Sequence, residues 1–166
     1  MHEILAIQKR NLKANTSLQD REKQGYITVP YTFDILKKMN DACPHILAMD
    51  GDRVAGYALV MLRNFKYEMP IFTPMFETSD RLLKEKNYVA MEQICIDKPY
   101  RGQGIFKGMY TFYKEALRDS YDCLFTEVAT ANTHSIEAHK RVGFIILETQ
   151  ITDGTLWEMI NWDWNH

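Results

Sequence analysis

The sequence predicts an α+β domain, a mixed sheet flanked by helices, and three observations carry that prediction. An apolar run at 89–96 leads through a short turn and a glycine-bearing loop into an amphipathic stretch at 105–117, the order strand, loop, helix. Apolar runs at 46–49 and 54–61 flank Asp50-Gly51-Asp52, an Asp-Gly placement that signals a hairpin. A second hairpin pattern, 144–149 and 156–162, surrounds Asp153-Gly154. With 166 residues, 46% of them apolar and 12% aromatic, the chain has the size of one compact domain with one sizeable core. No repeat, low-complexity tract or linker divides 1–166, so a single domain is expected.

The remaining elements follow in order. Ile4, Leu5, Ile7, Gln8 and Leu12 have helical spacing. The polar stretch 15–24 reads as a loop or arm. A helix is expected at 32–39, with Thr32 as N-cap and Asp34 in its first turn. Residues 63–87 mix Phe65, Tyr67, Phe72 and Phe76 with Pro70 and Pro74 in no clean period, and read as an elaborated connection. A strand is expected at 123–128 and a helix at 135–142.

Charge narrows the function classes. The 20 Lys and Arg nearly balance the 22 Asp and Glu, so no global basic field makes nucleic acid or an anionic membrane a default partner, and any anion site must be local. No run approaches the roughly 18 apolar residues of a spanning helix. Residues 1–10 carry charge among their apolar positions, unlike a signal peptide, so a soluble cytoplasmic protein is expected. Cys43, Cys95 and Cys123 are an odd count without C-x-x-C, which favours reduced thiols over a disulfide framework or a zinc site, and no metal is expected.

The chemistry is encoded at Arg101-Gly102-Gln103-Gly104-Ile105-Phe106. A loop between a strand and a helix can converge backbone N–H groups on an anion where the helix dipole also favours negative charge. Gly102 and Gly104 allow close backbone approach, and Arg101 adds a positive fork. Such a cradle suits a pyrophosphate. The P-loop pattern fails because Gly108 follows Lys107, and the dinucleotide pattern fails because Lys107 stands where its third glycine belongs.

With a second segment added, the chain resembles the GNAT superfamily of N-acetyltransferases. Arg101 and Gly104 follow its [QR]-x-x-G-x-[GA] loop, and Asn132 to Phe144 follow N-x-x-[AS]-x-x-x-Y-x-[KR]-x-G-F. The likeness covers 89–162 in the family's order and extends to the hairpin at 46–61; it is weaker before His45. The resemblance implies a mostly antiparallel twisted sheet splayed at the cofactor site. It implies acetyl transfer from acetyl-CoA directly to a primary amine of a small molecule, peptide or protein, with no covalent enzyme intermediate and a homodimer left open. The pyrophosphate would lie on Arg101, Gly102, Gln103, Gly104, Ile105 and Phe106. The pantetheine arm would lie against the backbone of Ile94, Cys95 and Ile96 and against Asn132, which also reads as a plain N-cap.

Three departures stand beside the match. Phe106 replaces the family's usual Gly or Ala, and His139 stands where many relatives have a Tyr that protonates the leaving thiolate. The family's leading edge strand is absent, or supplied by Tyr26-Ile27-Thr28-Val29. An alkylamine of pKa near 10.4 is free base in only roughly one molecule in 2,500 at pH 7, so transfer needs a base. Glu92 occupies the family's carboxylate position and Glu127 is the competing base. His139 is expected either to act as general acid or to fill the tyrosine's space through a structural hydrogen bond. The alternative function is a GNAT-fold acetyl-CoA sensor that has lost turnover.

Overall fold

The computed structural model describes residues 1–165 and shows a mixed six-stranded sheet flanked by helices, in the strand order β1-β2-β3-β4-β6-β5. The strands are β1 (Ile46–Asp50), β2 (Arg53–Met61), β3 (Tyr88–Ile96), β4 (Cys123–Ala129), β5 (Ile145–Thr152) and β6 (Thr155–Asp163). Neighbours pair antiparallel except β3 and β4. Helices α5 (Ile105–Leu117) and α6 (Thr133–Val142) cover one face, where Met109, Tyr110, Tyr113 and Ile136 join Val89, Met91 and Leu124 in a buried cluster. Helices α1 (His2–Asn11), α3 (Phe33–Ala42) and α4 (Thr73–Leu82) cover the other, contributing Ile4, Ile7, Leu36, Met39, Met75 and Phe76. No helix among the described residues is long and apolar enough to cross a membrane.

Two expectations are corrected and one alternative is decided. The polar stretch 15–24 contains α2 (Leu18–Gln24), started by Ser17, whose Oγ accepts from the Asp20 amide at 3.1 Å. No residue of α2 is buried, so no apolar period announced it. The connection 63–87 contains α4, which buries Met75, Phe76, Thr78 and Ser79. The leading strand is absent, as the first of the two alternatives had it, and 26–29 does not replace it in the sheet. Ile27 pairs with the end of α1 instead, donating to the Asn11 carbonyl at 2.9 Å and accepting from the Lys13 amide at 2.8 Å.

Two irregularities open the sheet. β3 and β4 pair only at Tyr88, Val89 and Ala90 with Cys123, Leu124 and Phe125, and beyond these each keeps only its outer neighbour. Opposite β2, the step from Ala58 to Val60 spans Ile94 to Met91, so β3 carries one extra residue at Glu92 or Gln93. Such a bulge bends a strand and re-aims its side chains.

Candidate active site

The loop after β3 is built to present amides. Gly102 and Gly104 have φ of 75° and 80°, left-handed values that a side chain rarely tolerates, while a Cβ on either would meet nothing within 4 Å. Conformation, not crowding, requires glycine there. The helical ladder of α5 begins with Gly108 donating to the Gly104 carbonyl at 3.0 Å, and Gly104 caps the helix without a side-chain bond. The amides of 102–107 therefore have no acceptor among the described residues, and they stand at the positive end of a 13-residue helix.

Arg101 does not project as a free fork. Its Nε donates to the Ile96 carbonyl at 2.9 Å, Nη2 to Asn11 Oδ1 at 2.6 Å, and Nη1 to Gln24 Oε1. It ties the loop to the ends of α1 and α2, and because all three acceptors are neutral its charge stays uncompensated. Phe106 turns away from the loop, its ring edge-on to Tyr110 and His139 at 5.1 and 5.3 Å between centroids. The phenyl group packs between α5 and α6 and leaves its own amide with the loop.

This loop forms the floor of a cleft of about 570 Å³. Lys23, Arg101, Lys107 and Arg141 line it, and among the described residues none is in an ion pair with a carboxylate and no Asp or Glu lines it. A chain of net charge −2 thus concentrates uncompensated positive charge in one concavity, which focuses anions. Lys23, Lys107 and Arg141 were not legible as site residues, because they lie on three different helices.

One wall of the cleft is β3. The Asp97 amide donates to the Ala55 carbonyl at 2.8 Å, and Cys95 is opposite Tyr57. In an antiparallel ladder bonded pairs alternate with non-bonded ones, so the peptide groups of Cys95 face β2 while those of Ile94 and Ile96 face the opening toward β4. All three expected platform residues line the cleft, Cys95 with its peptide groups turned toward β2. Its side chain is buried as well, with the thiol pushed up to about 12 by burial. The Ile96 carbonyl is already engaged by Arg101. Asn132 is not a side-chain cap for α6. Its Nδ2 donates to the Tyr26 carbonyl at 3.2 Å, and its buried Oδ1 has no partner.

Beyond the fork the cleft continues into a smaller cavity of about 80 Å³, with Tyr26, Ile94, Asn132 and Ser135 lining both. Glu92 and Glu127, from the diverging strands, face into the smaller one. Burial, reinforced by the neighbouring Glu127, holds the Glu92 carboxyl well above the usual range. Its Oε2 accepts from the Tyr31 hydroxyl at 3.3 Å and its buried Oε1 has no partner. Burial alone raises Glu127 to about 7. Tyr31, which no sequence motif marked, is held by a two-point clamp: Gln8 Nε2 donates to its carbonyl at 3.0 Å and Gln8 Oε1 accepts from its amide at 2.9 Å. A buried Gln on the apolar face of α1 was the available signal.

His139 is 2% exposed. Its Nδ1 lies 2.7 Å from the Ser135 carbonyl, which can only accept, so Nδ1 carries the proton. Nε2, 2.6 Å from the Tyr110 hydroxyl, is then the acceptor. Burial pulls its pKa down to about 4, so the ring is neutral near pH 7. Neither nitrogen is free to give a proton to a thiolate. The general-acid expectation is corrected in favour of the structural one: the ring fills the space between α5 and α6 and takes up a buried phenol.

The sequence pattern of the acetyltransferase (GNAT) family matches residues 9–144. No curated protein matches the chain. Among solved structures it is similar to Ard1 from Thermoplasma volcanium, with 16% identity over 98% of this chain and 91% of that one and a TM-score of 0.65. It is also similar to the ribosomal-protein-S18-alanine N-acetyltransferase from Escherichia coli, with 13% identity, 98% and 86% coverage and a TM-score of 0.63. A chain of the NatC complex bound to Gag peptide and CoA gives 14%, 98%, 92% and 0.64. At such identities these likenesses concern the fold, and the family match rests on the sequence itself: the chain belongs to the acetyltransferase (GNAT) family.

Proposed function

We propose that the protein is an N-acetyltransferase that moves an acetyl group from acetyl-CoA directly to a primary amine. The observation that carries this reading is the joined pair of cavities at the β3/β4 fork, one lined by cations and the other by two carboxyls. The residues present fit the cosubstrate. Unpaired amides at 102–107 and the cations around them suit a pyrophosphate, the outward peptide groups of Ile94 suit the amides of a pantetheine arm, and Asn132 Oδ1 lacks a donor. Acetyl-CoA would supply a thioester whose C–S bond breaks as the C–N bond to the amine forms.

The chain's own groups divide the remaining work. Glu127, near 7 and without a side-chain partner, takes the ammonium proton. Glu92, fixed by Tyr31, holds the amine through its free Oε1. The Cys95 thiol, buried and far from ionising, is not a nucleophile, in keeping with direct transfer. Tyr110 and His139 hold α5 against α6, His139 also standing at the wall of the smaller cavity with both nitrogens engaged, and the departing sulfur takes its proton from solvent.

The locked state of His139 also favours a second reading, a sensor that binds acetyl-CoA without turnover. The test is CoA thiol release with a panel of primary amines beside equilibrium binding of acetyl-CoA. Amine-dependent release establishes the enzyme; tight binding with zero release across the panel establishes the sensor.

A further inference from the structure

The two joined cavities divide charge completely. Four cations and no carboxylate line the larger one, while two carboxyls and no Lys or Arg line the smaller one. In the smaller cavity the buried side-chain atoms left without a partner are Glu92 Oε1 and Asn132 Oδ1, both acceptor positions, and Glu127 stands beside them without a side-chain bond. Three oxygen-bearing groups thus converge with no cation to balance them. A group with three N–H donors and no acceptor, which an ammonium is, complements that set, and its charge favours the ionised form of both carboxyls.

An α-amino acid carries a carboxylate two bonds from its ammonium nitrogen. In a cavity of about 80 Å³ that carboxylate has to share the space with Glu92 and Glu127, and neither Lys nor Arg is there to receive it, while His139 at the wall is neutral with both nitrogens engaged. The basic residues of the larger cleft lie on the phosphate side of the fork. The walls offer apolar area instead, from Phe72, Val29 and Trp157.

We infer that the acceptor is a primary ammonium with no carboxylate beside its reacting nitrogen, as in an alkylamine, an aminoamide or the first residue of a peptide, and that free α-amino acids are refused. The inference rests on the acetyltransferase reading above and specifies its acceptor. A like charge brought against a partly buried carboxylate is penalised by several-fold to several hundred-fold, and the expected discrimination is about 100-fold in kcat/KM.

The test compares alanine with alaninamide on the intact protein at saturating acetyl-CoA, with rates expressed per free-base amine. Propylamine and an alanine-headed peptide amide carry the same ammonium from other sources, and their ranking tells which source fits. Alaninamide should exceed alanine by about 100-fold. Thr28→Lys, at an exposed position lining the small cavity, should narrow that gap by about 10-fold by giving the carboxylate a partner. Equal use of alanine and alaninamide overturns the inference, as does a preference for alanine. If no amine is acetylated, the acetyltransferase reading falls on its own, and thermal shifts in the presence of CoA then decide. Stabilisation by alaninamide but not by alanine keeps the inference, whereas equal stabilisation, or none from either, overturns it.

Discussion

Replacing Glu127 with Gln should make the protein more stable and less active at the same time, and the size of the first effect follows from the site. Burial raises the Glu127 carboxyl from 4.5 to about 7. A carboxyl whose pKa is higher in the folded chain binds more protons there than in the unfolded chain, so between 4.5 and 7 stability falls as pH rises. The native protein carries a penalty of about 1 kcal/mol at pH 5 that grows to about 3 kcal/mol by pH 8, at about 1.4 kcal/mol per tenfold in proton affinity. Gln cannot ionise and escapes the penalty. At about 2–4 °C per kcal/mol for a chain of this size, Glu127→Gln should melt about 6–12 °C above wild type at pH 8, and only a few degrees above it at pH 5. Thermal unfolding of both proteins, without ligand, across pH 5 to 8 measures this directly. A variant less stable at pH 8, or a gain that does not depend on pH, would refute the reasoning. If Glu127 is also the base, the same variant loses about 10²- to 10⁴-fold in kcat and the rising limb of the kcat profile near pH 7 disappears, while Glu92→Gln keeps that limb.

Further outcomes follow from the same geometry. His139 is neutral in the fold with a pKa near 4, against 6.5 ordinarily, so the unfolded chain binds the extra proton and stability falls as pH drops from 6.5 toward 4, by about 3 kcal/mol in all; urea titrations of His139→Gln should show a flatter acid limb. Gln8→Leu removes both bonds to the Tyr31 peptide and leaves two buried polar groups unpaired, and should cost about 2–5 kcal/mol in chemical denaturation while raising the KM for amine. Gly25 sits at φ 72°, and a Cβ there would come within 3.1 Å of Asn132 Oδ1, so Gly25→Ala should lower calorimetric acetyl-CoA affinity about tenfold or more. Arg141→Ala should weaken acetyl-CoA binding several-fold and reduce its dependence on salt, as expected for a lost phosphate contact.

Apart from α4, the order of strands and helices from Ile46 onward was legible in the sequence because local periodicity and turn chemistry record which face of each segment is buried. The strand, loop and helix around Gly102 and Gly104 were legible for the same reason: positive φ at a helix start is a local demand. Helix α2 was not, since it buries nothing and its polar residues carry no period. A candidate site residue could be named where one segment supplied it, as with Glu92, which the structure places in the smaller cavity. None could be named where the site is assembled across the chain. Tyr31 reaches Glu92 from a distant segment that Gln8 clamps and Phe72 stacks against, and Lys23, Lys107 and Arg141 share a cleft because three helices converge on one fork. The fates of His139 and Arg101 were likewise tertiary decisions. The residue types allowed an acid and an anion-binding fork, but the proton on a histidine and the direction of a guanidinium are set by what surrounds them in space: the Ser135 carbonyl and Tyr110 for one, Asn11 and Gln24 for the other.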